Sequence, residues 1–168
     1  ALNPDTVARL IKQGLEVSVE AGAGERSYFS DSAYEAAGAT IISDTAKLWG
    51  EADILLKVSP PQERENGGSE VELLKEGAVL ISFLNPLGNP AVAQELANRQ
   101  VTAFSMEMIP RTTRAQSMDA LSSQASLAGY KAVLIAAAAL PKYFPMLTTA
   151  AGTIAPAKVF IMGAGVAG

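Results

Sequence analysis

The 168-residue chain is 49% hydrophobic and 18% charged, a balance that can build a core and excludes disorder. Its net charge of −4 offers no field to attract nucleic acid or an anionic lipid surface. Cysteine and histidine are both absent, which excludes disulfides, thiolate or imidazole catalysis and most transition-metal sites within these residues.

In chain order, Asn3 or Asp5 can cap a first helix, with Pro4 tolerated in its first turn and Val7, Leu10 and Ile11 on one face. Residues 15–21 alternate and read as a strand, followed by a turn at Gly22-Ala23-Gly24. Ser30-Asp31 opens a second helix that runs through Ala37. Thr40-Ile41-Ile42 is a short strand, and 44–49 a short helix. Asp53 to Val58 reads as a buried-type strand, followed by Pro60-Pro61 and a polar loop through Gly68. A helix over 70–75, a strand over 78–83, a helix over 90–99 and a strand over 101–104 complete the alternation.

These strands are apolar throughout rather than at every second residue. That pattern predicts an α/β fold, a Rossmann- or flavodoxin-like parallel sheet with helices on both faces. Residues 123–140 then form a helix too apolar to lie on a surface, consistent with a crossover between two α/β units. No stretch reaches the ~18 apolar residues of a spanning helix. After a Thr/Ala/Gly loop, Ala157 to Met162 reads as the first strand of a second Rossmann unit. The expected organisation is 1–140 as an N-terminal α/β domain with its crossover helix, and 141–168 as a linker and the start of a nucleotide-binding domain. Opening on a helix start and closing inside a glycine motif leads to the expectation of a fragment, inactive by itself.

Two stretches carry chemistry. The first is Gly163-Ala164-Gly165-Val166-Ala167-Gly168, which has the spacing of a dinucleotide fingerprint directly after an apolar strand. In such a motif the first glycine allows the tight turn, the second lets a pyrophosphate approach the backbone, and the third permits close packing. A Gly-rich turn of a fold that binds no nucleotide is the competing reading. The second stretch runs from Pro110 to Ser123 and gathers Arg111, Thr112, Thr113, Arg114, Gln116, Asp119 and Ser122 after a strand and before a helix. Open α/β sheets place ligand groups there. The plainer alternative is a solvated loop whose Ser or Asp caps the next helix. Lys57, near the end of one apolar strand, and Asn85, just after another, are candidate cleft groups, or else a snorkelling cation and a turn former. Glu107 and Asp119 are a candidate acid/base pair with no spacing rule behind them.

The second stretch closely resembles the signature loop of NAD(H)-binding domain I of the proton-translocating NAD(P) transhydrogenases. Residues 127–132, 149–152 and 156–159 follow in that family's order before the fingerprint, and Gly22-Ala23-Gly24 and Ala37-Gly38-Ala39 match earlier. Alanine dehydrogenases are similar in fold and fingerprint. They carry a catalytic lysine at the position of Lys57, but a catalytic histidine where this chain has Asn85, and their loop lacks the Arg–Gln–Asp pattern.

The resemblance implies a first strand ahead of residue 1 and hydride transfer between NAD(H) and NADP(H), the latter held on a separate component. It implies roles for Arg111 at the carboxamide and pyrophosphate, Gln116 in aligning the second nucleotide, and Asp119 and Ser122 at the carboxamide. Thr112, Thr113 and Arg114 flank them. Gly163, Gly165, Val166 and Gly168 hold the dinucleotide. It also implies a homodimer, an NADP(H)-binding partner, a membrane proton channel, and a cytoplasmic or matrix location peripheral to the membrane. The alternatives are an alanine dehydrogenase-like enzyme and a non-catalytic scaffold. Hydride transfer between nicotinamides moves no proton, so a site without histidine or cysteine suits it. What it needs is two rings held at roughly 3–3.5 Å.

Overall fold

A computed structural model describes residues 1–65 and 67–168; residue 66, in the predicted polar loop, lies outside the described residues. The chain divides into two compact units, Ala1–Met108 and Ile109–Gly168. The division falls earlier than the 140/141 boundary read from the sequence, so the long apolar helix groups with the fingerprint segment.

The first unit begins with helix α1 (Pro4–Lys12). Of the two candidate caps, Asn3 is the one used: its side chain accepts from the Thr6 N–H at 2.9 Å. Strand β1 (Ser18–Glu20), helix α2 (Asp31–Ala36) and strand β2 (Thr40–Ile42) follow, with Ser30 capping α2. β1 and β2 pair in parallel, Val19 opposite Ile41. Val7, Tyr34 and Ala39 form a small core beneath them. The buried Tyr34 hydroxyl donates to the Leu2 carbonyl at 2.8 Å, tying α2 to the start of α1.

Helix α3 (Thr45–Glu51), capped by Asp44, connects this half to the next. Its Thr45 hydroxyl donates to Glu20 of β1 at 2.6 Å, and its Trp49 enters the larger core. That core gathers Leu55, Val71, Leu74, Leu80, Leu84, Leu96 and Val101 around strands β3 (Ile54–Leu56), β4 (Val79–Ser82) and β5 (Thr102–Ser105). The three strands form one parallel sheet in the order β3-β4-β5, with Leu55 opposite Leu80 and Leu80 opposite Ala103. Parallel neighbours need a crossover. Helix α4 (Pro90–Asn98) supplies the one from β4 to β5, and a 3₁₀ turn at Glu70–Leu73 lies on the one from β3 to β4.

The predicted alternation is therefore present, but its ladder is divided between a two-stranded and a three-stranded parallel sheet. β2 falls where predicted and β5 keeps the predicted length one residue later, whereas β1, β3 and β4 are only three or four residues long, shorter than the runs predicted for them. A run stays apolar as long as its side chains are covered, whereas a strand lasts only as long as its backbone is paired.

The second unit starts with a 3₁₀ turn at Thr113–Met118 and helix α5 (Ala120–Ala139), which begins three residues earlier than expected. α5 has no fully buried residue, so its apolar surface, predicted to be covered, is open within this unit. The Thr/Ala/Gly loop is a hairpin, β6 (Leu147–Thr149) antiparallel to β7 (Gly152–Ile154). The strand predicted over 157–162 does not form: the segment is irregular, with no ladder partner among the described residues. Apolar β-prone residues make a strand only when another strand satisfies their backbone groups.

Candidate functional site

The polar stretch after Pro110 folds locally. The Thr112 N–H bonds back to the Pro110 carbonyl at 2.9 Å, and that of Ala115 to the Thr112 carbonyl at 3.0 Å. Ala115 is buried and anchors the 3₁₀ turn, while Arg111, Thr112, Thr113, Arg114 and Gln116 are exposed around it. The turn thus presents two guanidiniums and an amide outward from a fixed backbone.

Asp119 stands between this turn and α5 as the helix N-cap. One carboxylate oxygen accepts from the Ser122 N–H at 2.9 Å and the other from the Ser122 hydroxyl at 2.7 Å. These two bonds from Ser122, with a smaller contribution from the nearby positive charge of Arg111, hold the Asp119 carboxyl below its ordinary value. The capping role is present, with Asp119 and Ser122 bonded to each other at the start of α5.

The three glycines of the fingerprint segment meet different surroundings, on a backbone that is irregular before and through the turn. Gly163 has φ 106°, a left-handed conformation that L residues rarely adopt. A Cβ at Gly168 would strike the Gly163 carbonyl, so the turn closes on itself there. Gly165 meets nothing within 4 Å, leaving its backbone open to an approaching group, and Val166 is exposed. The open middle glycine leaves room for a pyrophosphate to approach the backbone.

In the first unit, Lys57 is engaged. Its ammonium pairs with Glu70 and lies 5.1 Å from the Trp49 ring centroid, so it closes the loop between β3 and β4. Glu70 also accepts from the Gln62 N–H at 2.9 Å. Asn85 is a turn former with φ 48°, and its carbonyl accepts from the N–H groups of Gly88 and Asn89 at 3.0 and 2.8 Å.

Glu107 has a role that its place in the sequence did not announce. Its carboxylate accepts from the Leu84 N–H at 2.9 Å and from the Asn85 N–H, fastening the end of β4 to the segment after β5. Partial burial raises its pKa, but the surrounding hydrogen-bond donors, the Asn85 and Leu84 N–H groups among them, outweigh this and leave it lowered. Each carboxylate of the candidate acid/base pair is instead engaged locally, Glu107 by the Leu84 and Asn85 N–H groups and Asp119 by Ser122.

A family model described as "Alanine dehydrogenase/PNT, N-terminal domain" matches residues 1–128, and the model of the corresponding C-terminal domain matches 132–168. The chain belongs to this family. Within the alanine dehydrogenase/PNT family, it is 49% identical over its whole length to the first portion of the NAD(P) transhydrogenase alpha subunit of Rhodospirillum rubrum, covering 44% of that protein. The crystal structure of a transhydrogenase from Sinorhizobium meliloti superposes with a TM-score of 0.90 at 46% identity, over 99% of this chain and 48% of that one. An alanine dehydrogenase of Halomonas elongata is more distant, 34% identical over 171 aligned residues and matched over 44% of its length. The chain thus spans about half or less of the relatives it resembles. The Rossmann-like α/β class expected from the sequence is the fold that these relatives share.

Proposed function

We propose that this chain is part of the NAD(H)-binding component of a proton-translocating NAD(P) transhydrogenase. It would help to transfer hydride between NAD(H) and NADP(H) held on a partner component. The observation that carries this reading is the geometry of α5. Ser122 and Gly129 are one heptad apart, on the same face of the helix and about 10 Å apart along its axis. The Asp119–Ser122 cap sits at one of these points, and Ala167 of the glycine turn lies against the other. One helix face therefore joins a polar cap suited to a carboxamide with a turn suited to a pyrophosphate.

The bound cofactor supplies the hydride; the chain supplies orientation. Asp119 uses two acceptor sites on Ser122 and, as a carboxylate with about four, keeps others for an amide N–H. The Ser122 hydroxyl donates to Asp119 and so presents its lone pairs outward. Arg111 adds donors for the carboxamide oxygen or a phosphate. Gln116 is exposed on the 3₁₀ turn and would contact a second nucleotide. Thr112, Thr113 and Arg114 line the same turn. Such fixed contacts contribute by alignment of the two rings, with no proton to move. A second copy of the chain, an NADP(H)-binding component and a membrane proton channel would complete the assembly, on the cytoplasmic or matrix side of the membrane.

Engagement of Lys57 by Glu70 and Trp49 speaks against the dehydrogenase alternative, which needs that ammonium for its substrate. The test is to mix the full-length protein with a separately prepared NADP(H)-binding component and follow hydride exchange from NADH to an oxidised NADP analogue. Rapid exchange requiring both components is expected. Turnover of an L-amino acid without exchange would establish the dehydrogenase instead, and failure to bind NADH would leave a scaffold.

A further inference from the structure

α5 is rich in alanine, yet position 129 carries glycine, the weakest helix former apart from proline. A helix interior keeps such a residue where another backbone comes too close for a side chain. Here a Cβ on Gly129 would lie 3.0 Å from the carbonyl carbon of Ala167 and 3.1 Å from its Cα, and closer still to its carbonyl oxygen. The obstruction is main chain, so no rotamer change relieves it. Ala167 is the residue between Val166 and the last fingerprint glycine, in the stretch whose N–H groups face the phosphates in folds of this kind. The turn is also closed on itself through the approach of Gly168 to the Gly163 carbonyl. Pressure at Ala167 would therefore displace the turn as a unit instead of bending one residue.

We infer that Gly129 is a positioning residue for dinucleotide binding: its missing side chain sets how closely the phosphate-binding turn seats on α5. The inference rests on the NAD(H) reading above. Gly129 touches no cofactor atom in this account. It acts through the backbone of Ala167, and it holds the turn at a fixed distance along the helix from the Asp119–Ser122 cap.

The test uses the full-length protein and three forms: the unsubstituted protein, Gly129→Ala, and Ala132→Gly, which loosens the same helix at an exposed position. Affinity is measured for NADH and for ADP-ribose, which has the pyrophosphate but no nicotinamide. Gly129→Ala is expected to weaken both by the same factor, roughly tenfold, about one hydrogen bond of binding. Its melting temperature should stay above that of Ala132→Gly, because the helix propensity of alanine offsets part of the cost of moving the turn. Ala132→Gly should do the reverse, melting earlier while binding NADH normally. Unchanged NADH affinity in Gly129→Ala would overturn the inference and leave the NAD(H) reading intact. So would a loss confined to NADH, which would put the effect at the nicotinamide end. A melting temperature for Gly129→Ala below that of Ala132→Gly would also overturn it, by making the contact part of the fold alone. No NADH binding by the unsubstituted protein would overturn the functional reading, and this inference with it.

Discussion

Ser122 gives Asp119 two hydrogen bonds, one from its backbone N–H at 2.9 Å and one from its hydroxyl at 2.7 Å. The same carboxylate thus starts α5 and fixes the outward face of the serine beside it. Capping and ligand orientation become one property here, and no substitution at Asp119 can separate them fully. Asp119→Asn keeps an acceptor for the Ser122 N–H but loses the charge-assisted bond from the hydroxyl. We expect it to retain the helix and weaken NADH binding, whereas Asp119→Ala frays the first turn as well. Amide exchange at Ser122 and Ser123 distinguishes the two. The pH dependence has a definite sign. The folded-state pKa is lowered from 3.8, so the stabilising contribution is present above that value and is lost as pH falls through the depressed one. Acid fraying at the start of α5 should therefore vanish in Asp119→Asn.

Glu107 is fastened to Leu84 and Asn85 through their N–H groups. Glu107→Gln keeps the shape of the side chain and removes the charge that both donors share. Urea unfolding should show a loss of about 1 kcal/mol, at the low end for charged hydrogen bonds because solvent reaches the group. The loss should be largest at neutral pH and shrink in acid, since the contribution of a carboxyl with a lowered pKa disappears below it.

Lys57 lies between Glu70 and the Trp49 ring. Lys57→Met should cost about 0.5–1 kcal/mol of stability from the lost ion pair and cation–π contact. Hydride exchange by the full-length protein should stay within about twofold of the unsubstituted rate, because the ammonium is not offered to a ligand. Loss of exchange with normal folding would return Lys57 to the site residues.

Gln116 is exposed on a turn whose backbone is set by the buried Ala115. Gln116→Asn withdraws the amide by one methylene without disturbing that anchor. The expected outcome is NADH affinity within about twofold and a hydride-transfer rate lower by roughly tenfold, the pattern of a group that aligns the reacting rings. An unchanged rate would remove Gln116 from the site.

Much of the fold is legible in the residues, because the signals are local. Asn3, Ser30 and Asp44 announce their helices by chemistry that acts within one turn, and each caps as its type suggests. The apolar runs through Leu55 and Leu80 place those residues in the core as their type suggests, whereas the run through Ala103 forms its strand but leaves Thr102, Ala103 and Phe104 exposed. What cannot be read depends on backbone pairing that the side-chain pattern does not mark. The 147–154 hairpin has no alternating apolar pattern, only threonines facing each other across it, with Thr148 and Thr153 hydroxyls 3.2 Å apart. The opposite error occurs at 157–162, where an apolar, β-branched run meets no partner strand. At the site, residue types point to the cap and the glycine turn, while the closeness of Gly129 to Ala167 has no signature beyond a glycine in a helix.

The placement of cap and turn along α5 has a further consequence. A helix advances about 1.5 Å and rotates about 100° with each residue. Adding or deleting one residue between Ser122 and Gly129 would turn the two points away from each other, whatever amino acid was involved. Side chains on the remaining faces of that interval can be exchanged with little effect on this spacing. The interval works as a ruler, tolerant of composition and intolerant of any change in length.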